Sequence, residues 1–530
     1  MSRSSVPIAA ALSDIYPVTD AVREGPRWNK LLTRFADIYH HSATFVARSP
    51  GRVNIIGEHI DYSLYSVLPM AVTADALLAV SAKPVDDGAA SFVIQLANVD
   101  DAKFASKEFS LLMDEKVQID ASKFEWTNYF KCGLSGALEL LRKKRGHGFK
   151  PRSMEVLMDG NIPVGGGLSS SAAFVTASAL AVLAAHGEGA VDKKELTELA
   201  MVSERAVGVN SGGMDQAASV FSEPGSALFV TFSPGLDARP VRFPATKPEL
   251  CSVIAQSFVT SNKQVTGPIH YNLRVVEVTL AAAYLNALVN PPGTALPTDG
   301  GPLGTSLHAF HETYFHHQRS SDDGAVKHET KEQELQRLIT LTRETLTQEE
   351  GYTKEEIAQA LGQPVSELER RFLASFPVRT ERFKLRQRAL HVFTEALRVL
   401  QFLARLERPS DGGPVDAAVL GHDLGRLMNE TQESCRSLFE CSCPELDQIC
   451  TIARAAGAWG SRLTGAGWGG CSVHLVPADK VADVKAALET DYYAGKGLTE
   501  EQRERAVVVS RPAGGSALYM VDESLVGQTS

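Results

Sequence analysis

Apolar and polar positions change their period several times along the chain, and each change marks an element. Over residues 43–80, β-branched residues sit between Gly and Pro punctuation, which predicts strands joined by tight turns. Residues 92–96 predict a further strand, and 153–158 another that runs straight into the Gly-rich turn 161–167. Helical spacing, apolar at three and four, takes over at 126–141, and a second helix is predicted at 195–207. Residues 169–186 are small and apolar with almost no charge, which predicts a helix buried all round. Residues 227–232 predict a strand.

The second half has a different texture. Residues 290–305, rich in Pro, Gly and Thr, and the polar run 320–332 predict loops of an insertion near 290–350 with helices on either side. Helix-start signals stand at 354–361 and 365–373, and 383–406 predicts a long helix with its arginines on the outer face. The Gly-rich turn 464–470 lies between a helix ending near Gly457 and a strand at 472–476. Two α/β lobes result, with a boundary between Phe232 and Ala255. The division is an extension over 1–42, a first lobe over 43–245 and a second over 246–530. There is no internal repeat.

Composition narrows the function classes. Hydrophobic residues make up 44% and charged residues 22% of the 530, as in soluble globular proteins. The formal charge is −10, so neither nucleic acid nor an anionic membrane is an expected partner. The N-terminus lacks the apolar length of a signal peptide, and no run is expected to span a bilayer. Seven cysteines, an odd number thinly spread, read as reduced thiols and predict a cytoplasmic protein. Cys435, Cys441, Cys443 and Cys450 cluster without the paired C-x-x-C of zinc sites, and read as packing residues.

The stretch Gly160-Asn-Ile-Pro-Val-Gly-Gly-Gly-Leu-Ser-Ser-Ser-Ala-Ala carries the most chemistry. Gly165, Gly166 and Gly167 let the backbone approach a ligand closely. Ser169, Ser170 and Ser171 then open an apolar helix whose unpaired amides and positive dipole end can hold phosphates, while a hydroxyl can reach a magnesium ion. No Lys follows the glycines, so this is not the G-x-x-x-x-G-K-[ST] loop. A bare Gly triplet would be an ordinary turn; the full P-x-G-x-G-L-S-S-S-A run is far more specific. It resembles the second motif of the GHMP small-molecule kinases.

Upstream, Arg48-Ser-Pro-Gly-Arg-Val-Asn-Ile-Ile-Gly-Glu-His-Ile-Asp-Tyr62 places Arg52, Glu58, His59 and Asp61 around a short strand and turn. Two carboxylates and an imidazole within four positions suit a polyol, since each can bridge neighbouring hydroxyls. Singly, each would be a surface charge or a cap. Together they resemble the signature of the galactokinase branch, although Ser63-Leu-Tyr-Ser follows where that signature commonly continues Asn-Gly-Gly. The variant resembles fungal and animal galactokinases and N-acetylgalactosamine kinases.

The resemblance implies further roles. In Gly208-Val-Asn-Ser-Gly-Gly-Met-Asp-Gln216, Asp215 matches the family's catalytic aspartate, with Ser211 and Gly212 beside the sugar. Asp215 would accept the proton of the substrate hydroxyl or polarise it while Arg52 stabilises the alkoxide. An Asp beside an Arg is expected to be more acidic, which weakens it as a base, so the two roles stay open. Glu204 matches the magnesium carboxylate, working with Ser170 or Ser171. Trp126 matches an adenine-flanking aromatic, Ser261, Asn262 and Lys263 a nucleotide-contacting stretch, and Tyr271 a sugar-contacting tyrosine. Arg462-Leu-Thr-Gly-Ala-Gly-Trp-Gly-Gly470 resembles the third motif, folding over the phosphate cradle.

The implied fold is α/β (α+β): a mixed N-terminal α/β lobe, a ferredoxin-like C-terminal lobe and an active site in the cleft between. The implied reaction moves the terminal phosphate of ATP onto the anomeric hydroxyl of galactose, with Mg2+, in a monomer. Two alternatives stand beside it. One is an N-acetylgalactosamine kinase. The other is a galactose- and ATP-dependent sensor that grips a transcriptional repressor; silent relatives of that kind lack a Ser-Ala pair in the cradle, which is complete here at Ser169-Ser-Ser-Ala172.

Overall fold

Strand Phe45–Ile56 is buried at every position, so alternation is invisible in it because both faces of its sheet are covered. The computed structural model describes residues 4–120, 123, 125–208, 212–260, 266–321, 329–375, 378–408 and 415–521. Among these, the first lobe is a seven-stranded mixed sheet in the order Ile8–Ala9, Ala517–Met520, Phe45–Ile56, Leu68–Lys83, Ser153–Gly160, Ser91–Asn98 and Lys107–Leu112. Helix Ser170–Ala185, buried almost all round as its composition predicts, packs on one face with Thr127–Arg145 against it. The other face is closed by helix Val18–Tyr39, whose Trp28, Leu31 and Phe35 meet Val46, Leu77 and Leu157. The turn-like Gly25-Pro26 pair lies inside that helix, where local chemistry alone reads a break.

The second lobe carries a four-stranded antiparallel sheet in the order Gly460–Thr464, Cys471–Pro477, Leu250–Gln256 and Val507–Ser510. In chain order this is 2-3-1-4, the ferredoxin-like arrangement. Strand Gly460–Thr464 was absent from the sequence expectation: five wholly buried residues lack the alternation that marks a half-exposed strand. The chain's last strand, Ala517–Met520, crosses back and pairs antiparallel with Phe45–Ile56.

In the chain, a layer of long helices comes between strands Leu250–Gln256 and Gly460–Thr464: Tyr271–Val289, Leu307–Ser321, Lys331–Thr345, Leu385–Leu406 and Ala417–Ser437. Tyr271–Val289 is long and apolar enough by composition to cross a membrane, contrary to the sequence expectation, but here it is a mostly buried core helix. Lys331–Thr345 begins inside the predicted loop 320–332, and 322–328 lie outside the described residues.

Two further expectations need correction. The predicted helix 195–207 ends at Glu204, followed by a single tight turn, Arg205–Val207. The arginines of Leu385–Leu406 are not all outward. Arg388 is buried against Glu277 and Glu440, both at 2.8 Å, and Arg398 against Glu395 at 2.9 Å. Helical spacing counts a charge as outward unless a buried carboxylate waits for it, and those carboxylates come from other segments.

Candidate active site

Strand Ser153–Gly160 delivers the chain to the glycine turn, and Ser169, with φ 60° and ψ 42°, opens helix Ser170–Ala185. Its first helical hydrogen bond is Ala173 N to Ser169 O at 3.0 Å, so the amides before it remain available at the helix mouth. The buried Ser169 Oγ has no hydrogen-bond partner among the described residues. Gly167 takes φ +74°, and a Cβ there would lie 2.7 Å from Thr464 O; one on Gly465 would lie 2.3 Å from Gly167 O. Two glycine loops from opposite lobes thus touch backbone to backbone, which any side chain would prevent. Trp126 stacks on Phe174 of the same helix, with centroids 6.0 Å apart at 15°, and donates Nε1–H to Ala105 O at 3.1 Å.

Arg52 joins this cradle to the aspartate. Its Nη1 donates to Gly167 O at 2.7 Å, while Nε and Nη2 reach Asp215 Oδ1 at 2.8 and 2.7 Å. Asp215 sits in the first turn of helix Met214–Phe221. Gly212, just before that helix, lies directly on the turn bearing Asp61 and Tyr62: a Cβ on it would come within 2.4 Å of Tyr62 N and 2.6 Å of Asp61 Cγ. Asp61 Oδ2 accepts from Met214 N at 3.4 Å. Burial first, and the nearby Asp215 charge second, push the Asp61 carboxyl up to about 6.

Glu58 and His59 both carry contacts to other parts of the protein. Glu58 is buried, and its Oε2 accepts from Arg462 Nη2 at 2.5 Å and Gly465 N at 3.1 Å, so this oxygen holds the opposite lobe. His59 adopts φ 60° and has both ring nitrogens engaged within the protein: Nδ1 with Tyr62 Oη at 3.0 Å and Nε2 with Ala466 O at 2.9 Å. Nε2–H donates to the carbonyl, and in the neutral ring Nδ1 accepts from the phenol. The imidazole thereby orders Tyr62 within the cleft lining. Tyr271 lies 5.6 Å from the His59 ring and 5.7 Å from Tyr62. Glu204 is buried, its Oε2 taking Gln216 Nε2–H at 2.5 Å.

One cleft collects these groups: Arg52, Glu58, His59, Asp61, Glu204, Asp215 and Tyr271 line it, together with Tyr62, Met214, Gly465 and Ala466. Ser211, Ser261, Asn262 and Lys263 lie outside the described residues. Three supporting residues were given no role by the local strings. Glu395 Oε1 accepts from Gly57 N at 2.8 Å and Glu58 N at 3.1 Å. His391 Nε2 meets Glu58 O at 2.9 Å. Arg462, quoted in the third motif without a role, donates Nη1–H to Asn54 O at 2.7 Å besides binding Glu58. A buried arginine beside a glycine loop was the one clue that sequence offered.

Comparison with known proteins agrees with this arrangement. Residues 33–82 match the galactokinase galactose-binding signature, 128–223 the GHMP kinases N terminal domain and 417–494 the GHMP kinases C terminal domain. The galactokinase of Saccharomyces cerevisiae is 43% identical over 92% of this chain and 94% of its own length. That of Candida parapsilosis is 41% identical over 97% and 98%. A crystal structure of Lactococcus lactis galactokinase complexed with galactose superposes with a TM-score of 0.60 at 23% identity, covering 92% of this chain and 98% of that one, which shows the shared fold. The chain belongs to the galactokinase family of the GHMP kinases.

Proposed function

We infer that this protein is an ATP-dependent sugar 1-kinase that transfers the γ-phosphate of ATP to the anomeric hydroxyl of α-D-galactose, giving galactose 1-phosphate and ADP. The observation that carries the reading is Arg52, whose one guanidinium touches both Asp215 and the carbonyl of Gly167 in the glycine cradle. It thereby links the group that would face the sugar oxygen to the loop that would hold the phosphates. Phosphoryl transfer needs mainly positioning and charge compensation, and this geometry supplies both.

In this reading the amides opening helix Ser170–Ala185 and the turn Gly165–Gly167 hold the phosphates, and Trp126 and 261–263 flank the nucleoside. Asp61, Glu58, Tyr271, Ser211 and Gly212 surround the sugar. Asp215 takes or polarises the anomeric proton, and Arg52 stabilises the oxygen charge left behind. Magnesium fits this donor set: Ser170 and Ser171 open the helix beside the glycine turn, and Glu204 presents a buried carboxylate to the cleft, all hard oxygen ligands. Ser170, Ser171 and Glu204 would hold the ion, which would neutralise charge on the phosphate oxygens; one carboxylate suffices because phosphate and water complete its shell. The lobes proposed at 43–245 and 246–530 put this cleft between them. A cytoplasmic monomer completes the proposal, supported by seven free cysteines.

An ADP-release assay over a sugar panel tests it. Galactose is expected to be phosphorylated well above N-acetylgalactosamine; comparable turnover of both would defeat the assigned preference. Asp215→Ala is expected to lower kcat by about 10²–10³-fold or more while nucleotide binding persists. Near-normal kcat would remove Asp215 from the chemistry. Activity in the wild type separates an enzyme from a pure sensor, and galactose- and ATP-dependent capture of a repressor would reveal a second role.

A further inference from the structure

The turn that presents Asp61 and Tyr62 to the cleft is held from outside the cleft. Residues Asp61–Ser63 form a single tight turn closed by Leu64 at φ 64°, and Tyr65 N donates back to Ile60 O at 3.1 Å. The Tyr65 side chain then leaves the sugar-facing segment and enters the helical insertion, 6% exposed. Its Oη meets His311 Nδ1 at 3.0 Å, and His311 Nε2 meets Glu334 Oε2 at 3.0 Å. His311 and Glu334 are 2% and 1% exposed and come from helices Leu307–Ser321 and Lys331–Thr345. Glu334 is compensated by Lys331 at 2.9 Å and by Arg319.

The proton count of this line is self-consistent. The phenol donates to Nδ1, and the neutral imidazole donates Nε2–H to the carboxylate, so every polar group in the line is satisfied. Buried rings pack beside it, Phe393 of helix Leu385–Leu406 against Tyr65 and Phe315 of the insertion against His311. Apolar residues in place of all three side chains would avoid desolvating a carboxylate and an imidazole, so the line is better explained by what it fixes in space than by net stability. What it fixes is the end of the turn bearing Asp61 and Tyr62.

We propose that Tyr65, His311 and Glu334 are positioning residues for the sugar, and that the insertion acts on catalysis by setting the pitch of the Asp61–Ser63 turn. This rests on the sugar-kinase reading above. Galactose phosphorylation by the wild-type chain is therefore measured first: its absence fails that reading, and the variants then address only this one.

Tyr65→Phe removes one hydroxyl and keeps the ring; His311→Leu breaks the same line from the insertion side. Each is expected to raise the KM for galactose by roughly 3–10-fold, the scale of one lost buried hydrogen bond, while kcat and the KM for ATP change less than about twofold. In the double variant the galactose KM is expected to rise no further than in the worse single one, because both cut one line. An unchanged galactose KM in folded Tyr65→Phe overturns the proposal. So does a matching loss of ATP affinity, which marks general loosening of the fold. If His311→Leu fails to fold, Tyr65→Phe alone decides.

Discussion

Two buried carboxylates of the first lobe show opposite designs. Asp75, at the centre of the seven-stranded sheet, receives Arg27 Nη1 on Oδ1 at 2.7 Å, and Arg48 Nε and Tyr16 Oη on Oδ2 at 2.7 and 2.5 Å. Burial works against its charge, but Arg27 and Arg48 outweigh burial and hold the carboxyl below its ordinary value. Arg48 also donates to Gly514 O and Gly515 O, so this hub ties the N-terminal helix to the approach of the last strand. In the cleft the balance inverts. Asp61 and Asp215 face one arginine, and Arg52 gives both its carboxylate contacts to Asp215 Oδ1. Asp61 is left with a backbone amide, and its carboxyl rises to about 6. A carboxylate that has its cations holds the fold together; one in a cleft without a cation of its own is a candidate functional group.

The sharpest way to break this comparison is to neutralise each carboxylate in turn. Asp75→Ala leaves two buried guanidinium groups without their anion and is expected to destabilise the protein by about 3–5 kcal/mol, read as a lower urea midpoint. Because the Asp75 value is lowered by folding, its stabilisation is present above about pH 4 and is lost as the pH falls through the lowered native value. A variant as stable as wild type would show that the hub is decorative.

Asp61→Asn is expected to do the reverse. Its native value is raised, so its contribution to stability is full below about pH 4 and is lost as the pH climbs through about 6. At pH 7.5 the asparagine is therefore expected to stabilise the free protein by about 1–3 kcal/mol while weakening galactose. In the wild type, kcat/KM for galactose is expected to fall on the acid side of about pH 6, and this limb should vanish in Asp61→Asn. A lower Tm in the variant would end the contrast. The smallest effect is expected from Glu395→Gln, which keeps an acceptor for Gly57 N and Glu58 N but loses the charge facing Arg398. Here the galactose KM should rise roughly 2–5-fold, with the KM for ATP steady.

Much of the cleft could be read from short strings because glycines and serines at a strand-to-helix turn have few other uses. Arg52, Asp61 and Asp215 were recognised within their motifs, and the structure brings them together. Asp75 escaped notice: one carboxylate inside the apolar strand Leu68–Lys83 has no local pattern, and its partners come from residues 16, 27 and 48. The arginines of Leu385–Leu406 were misread for the same reason. Their spacing is that of a solvated face, and only Glu277, Glu395 and Glu440 make it an interior one.

Sequence alone determined the helix buried all round, the glycine turn that opens it and the types of side chain that would meet phosphate and sugar, because backbone conformation and local hydrogen bonding act within a few residues. Only the tertiary structure decided which charges are paired, that His59 turns both nitrogens inward, and that Glu395, Arg462 and His311 brace the segment 54–65 from the second lobe and its insertion. Those outcomes depend on distance and burial between segments hundreds of residues apart, and neither quantity is encoded in local spacing.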